Sequence, residues 1–540
     1  MFETNIVKKD HRKVNLKMAL CYPGPYRVGM SSLAVHTIYG MANSLREVAC
    51  ERAFMQSTPG TPVHTLESNA PLRKMDIIGF SLQYETDYVN LLRILIDSNI
   101  PLFSKHRKVE DPLVIAGGPC ATGNPEPLSD FVDLFVIGEA EPVLPKLLDL
   151  VMGIKKPRNH LEELLDIEGL YIPSMDQDSI KRVWASDLDA APHPTRQVIT
   201  HTAQRSEHSP IFGETFLTEV TRGCSQGCRF CYIGYIARPN RERTSSNIRE
   251  IIEQGTAHTG VGKVSLVGSS LSDCAHLADT CSWIVNDLGL KVSLSSMRAD
   301  SVPIELLKTL AKGGERTLTI APETGSESLR NSINKKITDD AIVQTAENAL
   351  EAGLRNVKLY FMIGLPHERD EDIAAINGLV QRVAKLGYQS RSIRLSIVPF
   401  TPKPHTPFQW FQQAPKQDLQ TKLRIIHSGL HLNNRVDIES LDLRWARIQA
   451  ILSTANRGMG RILEQVAREG GTLGTWRRAM TMAASSLSTF EMERTTETPL
   501  PWDKIQIGIN KGFLKTEMEK SVTGIQSPSC LTKCSNCGVC

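Results

Sequence analysis

The segment Thr218-Glu219-Val220-Thr221-Arg222-Gly223-Cys224-Ser225-Gln226-Gly227-Cys228-Arg229-Phe230-Cys231-Tyr232 decides how the rest of the chain is read. The run 215–220 just ahead of the thiols has the short, partly β-branched character of a strand, and Gly223 ends it. Three thiols follow at Cys-x3-Cys-x2-Cys spacing. Three thiolates from one short loop can hold three corners of a cubane iron–sulfur cluster, leaving one iron open to a further ligand. Phe230 can shield such a cluster from water. Zinc is the rival, but three sulfurs without a neighbouring histidine make a poor closed tetrahedral site.

Working outward, residues 213–412 alternate between strand and helix. Strands are predicted at 215–220, 263–267, 291–295, 317–320, 356–362 and 392–398, with helical patterns such as 339–352 and 371–385 between them. Six βα units are too few for a complete eightfold barrel and fit a partial (β/α)6 one, with catalytic groups at the carboxyl ends of the strands. Residues 1–152 carry strands at 16–22, 75–82, 113–116 and 134–137 and helices at 31–47, 87–97 and 140–151. This predicts an open, Rossmann-like α/β domain with a parallel sheet covered on both faces. Gly117-Gly118-Pro119 and Gly138-Glu139-Ala140-Glu141 follow two of these strands, where ligands sit in such sheets, although glycines also simply shape tight turns. Residues 153–212 read as a linker with a small strand pair near 169–173. Residues 413–490 read as helical, and 491–540 as an irregular tail.

A length of 540 residues suggests roughly three domains. With 41% hydrophobic and 22% charged residues the chain is globular, and a net charge of +3 neither requires nor excludes a nucleic-acid partner. No apolar run is long enough to span a membrane, and the amino terminus lacks a signal core, so a cytoplasmic location is expected. Twelve cysteines in a large chain of this kind are better read as reduced thiols than as disulfides. Besides the first three, Cys530-x3-Cys534-x2-Cys537-x2-Cys540 has ligand spacing for a second iron–sulfur cluster or a structural zinc. Cys21, Cys50, Cys120, Cys274 and Cys281 are read as packing thiols, the last two on one face of a helix. The basic helical tract 444–478 either contacts phosphates or is a solvated face packed by Leu452 and Ile462.

A Cys-x3-Cys-x2-Cys loop after the first strand of a partial barrel resembles the radical S-adenosylmethionine superfamily. The resemblance implies that Cys224, Cys228 and Cys231 ligate a [4Fe–4S] cluster whose fourth iron binds S-adenosylmethionine. One electron from a ferredoxin- or flavodoxin-type donor then cleaves the sulfonium to a deoxyadenosyl radical. It places Gly268, Ser269 and Ser270 near the methionyl amine, and Ser296 and Arg298 near its carboxylate. Glu323 and Ser326 fall where ribose hydroxyls or an amine would be met. Lys358, Tyr360 and the proline-rich rim 399–410 lie at later strand ends.

The amino-terminal domain is similar to that of the cobalamin-binding subgroup. The carrying residues are Tyr22-Pro23-Gly24-Pro25-Tyr26-Arg27-Val28-Gly29-Met30-Ser31, the runs 321–330, 358–366 and 399–410, and Cys537-Gly538-Val539-Cys540. The Asp-x-His-x-x-Gly signature is absent, and His36 reads as an ordinary helix residue. Cobalamin would have to be held without a protein histidine, near the turns 79–81 and 117–119. The function implied is modification of an unactivated carbon, by methyl transfer where cobalamin is held. Sulfur insertion like that of the tRNA methylthiotransferases is the alternative, as is a non-enzymatic metal-cluster protein that binds RNA or a partner. The substrate stays open among RNA, protein, lipid and small molecule.

Overall fold

Unbroken apolar strands need cover on both faces, and the amino-terminal domain provides it. The computed structural model describes residues 2–202, 206–483 and 491–540. After the short β1 (Phe2–Thr4) come β2 (Leu16–Tyr22), β3 (Val48–Phe54), β4 (Ile77–Ser81), β5 (Leu113–Gly117) and β6 (Leu134–Val136). These five run parallel in the order β3-β2-β4-β5-β6, and β7 (Leu170–Tyr171) joins antiparallel at the β6 edge. From β2 the chain winds to β3 on one side and then crosses to β4 on the other. That reversal opens a crevice at the carboxyl ends, the place where open α/β sheets take ligands.

The sequence does not suggest β3, because Val48-Ala-Cys-Glu-Arg-Ala-Phe54 carries two charges in mid-strand. Both are buried and paired. Arg52 donates to both carboxylate oxygens of Glu3 at 2.8 and 2.9 Å and to Glu67 at 2.6 Å. Glu51 accepts from Ser68 at 2.6 Å and bonds the His11 imidazole at 2.7 Å.

The segment expected to be a linker is stitched to both neighbours. It holds β8 (Ile180–Lys181) and β9 (Ile199–His201), and β9 pairs antiparallel with β1. Next comes the barrel: β10 (Phe216–Glu219), β11 (Thr221–Arg222), β12 (Arg241–Glu242), β13 (Lys263–Val267), β14 (Lys291–Leu294), β15 (Thr317–Glu323), β16 (Asn356–Ile363), β17 (Ile393–Pro399) and β18 (Val436–Ser440). Strands β10-β13-β14 and β15-β16-β17-β18 form two parallel runs, joined by a single bridge between Met297 and Ile320. Six βα units are therefore followed by a seventh strand. That strand, β18, lies where the sequence predicts only helix; it is a half-exposed edge with little apolar signature.

Helix Lys416–Leu430 packs on the barrel through Leu419, Ile426 and Leu430. The next three, Leu443–Thr454, Gly460–Arg468 and Leu473–Met482, bury Ile448, Leu452, Ile462 and Trp476 in the core of the amino-terminal domain instead. Arginines of the basic tract are engaged in ion pairs, among them Arg447 with Glu491, Arg457 with Asp130 and Arg478 with Glu469. This is the packed-face reading of the tract. In the tail, β19 (Ile505–Gln506) pairs parallel with β8, and helix Lys511–Thr523 follows. Among the described residues no helix is long and apolar enough to cross a membrane.

Candidate active site

The three-cysteine loop leaves the carboxyl end of β10 and is shaped by glycines that admit no side chain. Gly223 has φ +84°, and a Cβ there would lie 2.5 Å from the carbonyls of Ala237 and Pro239. Cys231 N–H donates to Cys228 O at 3.0 Å, closing a turn that runs into the short helix Ile233–Ile236. Cys228 is buried, while Cys224 and Cys231 are half-buried. Burial first, then the neighbouring Cys228 and Cys224, push the Cys231 thiol up to about 12. Burial and Cys228 raise Cys224 as well. The three thiols thus lie close enough to disfavour one another's ionised form, which a bound cation would favour.

Side chains from across the molecule fix this loop. Arg229 is fully buried; it pairs with Glu517 at 3.2 Å and donates to the carbonyls of Ser332 at 2.7 Å and Ile525 at 2.6 Å. Asn334 Nδ2 donates to Gly227 O at 3.0 Å. Asp273 accepts from Ser225, Gln226 and Ser270 at 3.0, 2.7 and 2.7 Å. Tyr232 donates its hydroxyl to Pro119 O at 2.7 Å and fills the space beside Gly123, where a Cβ would meet the phenol oxygen at 1.7 Å. The turn after β5 is thereby clasped by the cysteine loop.

The strand-end residues singled out from sequence fall into two groups. Glu323 and Arg298 converge with the thiols. Glu323, at φ +71° where the β15–β16 register shifts, accepts from the buried Lys335 at 3.1 Å and raises the Cys231 thiol. A carboxylate-bearing residue in left-handed backbone is a strained arrangement of the kind found at functional sites. Arg298 donates to Asp300 at 3.1 and 2.7 Å and lies within electrostatic reach of Cys228.

The others are less engaged. Gly268 packs against Thr221, whose Oγ1 would be 2.3 Å from any Cβ, and its carbonyl accepts from Ser295 at 3.0 Å. Ser269, beyond β13, and Ser296, beyond β14, are both exposed. Ser326 caps helix Glu327–Ser332, accepting from Leu329 N–H at 3.1 Å, and donates to Asp372. Its hydroxyl is committed to structure.

Sequence reading missed Arg229, Asp273, Asn334 and Lys335. Arg229 sits inside the cysteine motif and could have been noticed; the other three carry no local signal. Cys274 precedes helix Leu277–Ser282 rather than lying on it with Cys281, so the two thiols do not share a helix face. Both are buried.

Between the carboxyl ends of the amino-terminal strands and the barrel mouth lies a cavity of about 360 Å³. Leu20, Gly79 and Ile115 line it from the sheet, and Glu219, Arg222 and Ile233 from the barrel. Arg222 spans the two bodies, pairing with Glu139 and Glu141 at 2.7 Å each and with Glu219 at 2.8 Å. His193 also lines the cavity. Its Nε2 accepts from Glu219 N–H at 3.3 Å, and burial first, then Arg243, hold the ring neutral with a pKa of about 3. His36 is buried against Met30 O and lowered to about 4, mainly by burial.

Residues 218–380 match the family model described as the radical SAM superfamily, and 34–173 match that for the N-terminal part of radical SAM proteins. An uncharacterized protein of Methanocaldococcus jannaschii is 30% identical over 453 residues, covering 84% of this chain and 91% of the relative. The chain belongs to the radical S-adenosylmethionine superfamily. Its fold is shared with TsrM of Kitasatospora setae, a radical S-adenosylmethionine methyltransferase solved with cobalamin and a [4Fe–4S] cluster bound. The TM-score is 0.52 at 12% identity, over 87% of this chain and 99% of that one. OxsB, a cobalamin-dependent radical S-adenosylmethionine enzyme, aligns with a TM-score of 0.51 at 14% identity, over 94% of this chain and 71% of its own. As a radical S-adenosylmethionine enzyme the protein works with a [4Fe–4S] cluster and S-adenosylmethionine.

Proposed function

We propose that Cys224, Cys228 and Cys231 ligate the cluster and that the enzyme modifies an unactivated carbon of a substrate held in the interdomain cavity. The Cys-x3-Cys-x2-Cys loop leaving the carboxyl end of β10, its turn closed by Cys231 N–H on Cys228 O at 3.0 Å, carries this reading. When bound, the reduced cluster and S-adenosylmethionine supply one electron and a deoxyadenosyl radical. Glu323 would accept hydrogen bonds from the methionyl amine or ribose hydroxyls. Arg298 would pair with the carboxylate, exchanging its bond to Asp300. Gly268, Ser269 and Ser296 line the same strand ends. Tyr232 and the Arg222 network hold the two bodies together over the cavity and exclude water. A low-potential protein donor and a reducing, cytoplasmic setting suit twelve free thiols. The test is anaerobic reconstitution followed by reduction with S-adenosylmethionine present: wild type forms deoxyadenosine and Cys228→Ala does not. Equal formation in both would refute the assignment.

Methyl transfer is favoured by one observation, the cavity at the crevice where β2 and β4 diverge, in a fold shared with TsrM and OxsB. A corrin there would rest on the apolar walls of Leu20, Ile115, Val136 and Ile236 and would act as a methyl carrier. His36 is turned to Met30 O and does not line the cavity, whereas His193 lines it with Nε2 engaged by Glu219 N–H and Nδ1 buried without a partner; the cavity has the size of a drug-like ligand site. The apolar walls thus suit the faces of a macrocycle, and His193 is the one histidine in the lining among the described residues. Corrin absorbance retained after gel filtration with hydroxocobalamin supports methyl transfer; its absence leaves hydrogen abstraction without a methyl carrier. Sulfur insertion using an amino-terminal cluster is disfavoured, because Cys21, Cys50 and Cys120 are sealed in the sheet core.

A further inference from the structure

The chain ends in four thiols that the site above does not use. Cys530, Cys534 and Cys540 are exposed and Cys537 is buried. The four fall within eleven residues, and the segment is held to helix Lys511–Thr523 by Asn510 N–H donating to Cys537 O at 2.9 Å. Asn536 and Gly538, with φ +53° and +101°, curl the segment, and Asn536 N–H points at Cys534 Sγ across 3.4 Å.

This group is built onto the catalytic loop. Cys530 N–H donates to Ser225 O at 2.9 Å, between Cys224 and Cys228. Ser527 N–H donates to Asn334 Oδ1 at 2.9 Å, and Asn334 in turn holds Gly227 O. Arg238, 3% exposed, is within reach of Cys530 and Cys537, and its Nη2 lies against the catalytic loop at Gly227, where a Cβ would meet it at 3.1 Å. Its Nε donates to Gly234 O at 2.8 Å, but its Nη1 is buried without a hydrogen-bond partner. A buried guanidinium N–H without an acceptor is costly, and an anionic metal–thiolate group would supply one.

Geometry also distinguishes the metals. Tetrahedral zinc at about 2.3 Å from each sulfur brings the sulfurs to about 3.8 Å from one another. Among the described residues only Glu242, Cys274 and His276 bring three ligating atoms within 4.8 Å of each other, so no three of the terminal sulfurs are as close as tetrahedral zinc holds them. Direction follows from exposure. Three of the four thiols face solvent beside Leu531, 60% exposed, whereas the loop thiols face inward.

We propose that Cys530, Cys534, Cys537 and Cys540 ligate a second iron–sulfur cluster that receives electrons from a low-potential flavin or iron–sulfur protein and passes them to the cluster of the catalytic loop. One electron leaves the donor, resides on the second cluster and moves to the first; no bond forms or breaks. The proposal rests on the radical S-adenosylmethionine reading of the loop.

The test compares full-length wild type with Cys534→Ser and Cys540→Ala, two exposed positions, all reconstituted anaerobically. Wild type should hold roughly eight irons per chain and each variant roughly four, with zinc negligible. A change in the paramagnetic spectrum on adding S-adenosylmethionine should persist in the variants, showing a folded catalytic loop. Deoxyadenosine formation driven by dithionite should be nearly unchanged, while formation driven by reduced flavodoxin should fall by about an order of magnitude or more. Zinc in place of iron, equal flavodoxin-driven rates, or loss of both clusters from both variants would overturn the relay. Absence of deoxyadenosine from wild type with either reductant would instead overturn the reading of the loop.

Discussion

Replacing Arg229 with methionine tests how firmly the carboxyl-terminal segment holds the catalytic loop. The side chain is 0% exposed and its partner Glu517 2%, at 3.2 Å. Methionine preserves much of the volume and removes the ion pair, together with the bonds to Ser332 O and Ile525 O. Breaking a buried pair from one side costs about 3–5 kcal/mol, because the remaining carboxylate is left in a poor environment. Lys520 and Ser527 also contact Glu517, at 2.8 and 2.5 Å, which favours the lower figure. Since Arg229 anchors helix Lys511–Thr523 rather than the barrel core, the loss appears as local opening. About 3 kcal/mol raises the open population roughly a hundredfold. Hydrogen exchange should show that loss of protection in 511–530 and in the loop 224–231, while β4 and β16 keep theirs. Arg229→Lys, which keeps charge but not the fork, should fall between. Unchanged protection of 511–530 in Arg229→Met would refute the reasoning.

Three further outcomes are expected. Glu323→Gln should weaken S-adenosylmethionine binding by roughly 10–100-fold, the worth of a charge-assisted hydrogen bond, with iron content unchanged; calorimetric titration of reconstituted protein checks it. Asp87 is raised to about 7, chiefly by burial, so the folded state binds the extra proton and stability falls as pH rises from about 4 to 7. Urea midpoints should show that Asp87→Asn removes this decline, and parallel curves for the two proteins would count against it. Gly123→Ala must displace the Tyr232 phenol, which fills the space the new methyl needs. The loss of its bond to Pro119 should cost about 1 kcal/mol or more and lower the melting temperature more than Tyr232→Phe does.

The parts of the fold legible in sequence were those with periodic apolar signal. The strand 16–22 and the strand 263–267 were read to the residue, because a buried parallel strand is nearly all apolar. β3 escaped because Arg52 is paired with Glu3 and Glu67, and Glu51 with His11 and Ser68, all outside the strand. β18 escaped because an edge strand with one partner needs little apolar character. The two-residue pairing of β8 with β19 joins segments more than 300 residues apart and has no local signature. In the site, the cysteine spacing was readable because chelation demands neighbours in sequence. Asp273, Asn334 and Lys335 were not, since their roles depend on which loops meet. Ser326 illustrates the converse: a serine before Glu-x-Leu-Arg resembles a ligand contact and is a helix cap.

The clasp formed by Cys530, Ser527 and Glu517 on the cysteine loop has a consequence for biosynthesis. About 300 residues separate Cys231 from Cys530, and at about 5–20 residues per second the ribosome needs roughly 15–60 s to make them. During that interval the thiols at 224, 228 and 231 have emerged while the segment that seals them does not yet exist. Iron and sulfide delivered to the nascent chain would meet a loop without that seal, which arrives with residues 517–530. A chain truncated before residue 511 should accept its catalytic cluster readily and also surrender it readily to chelators.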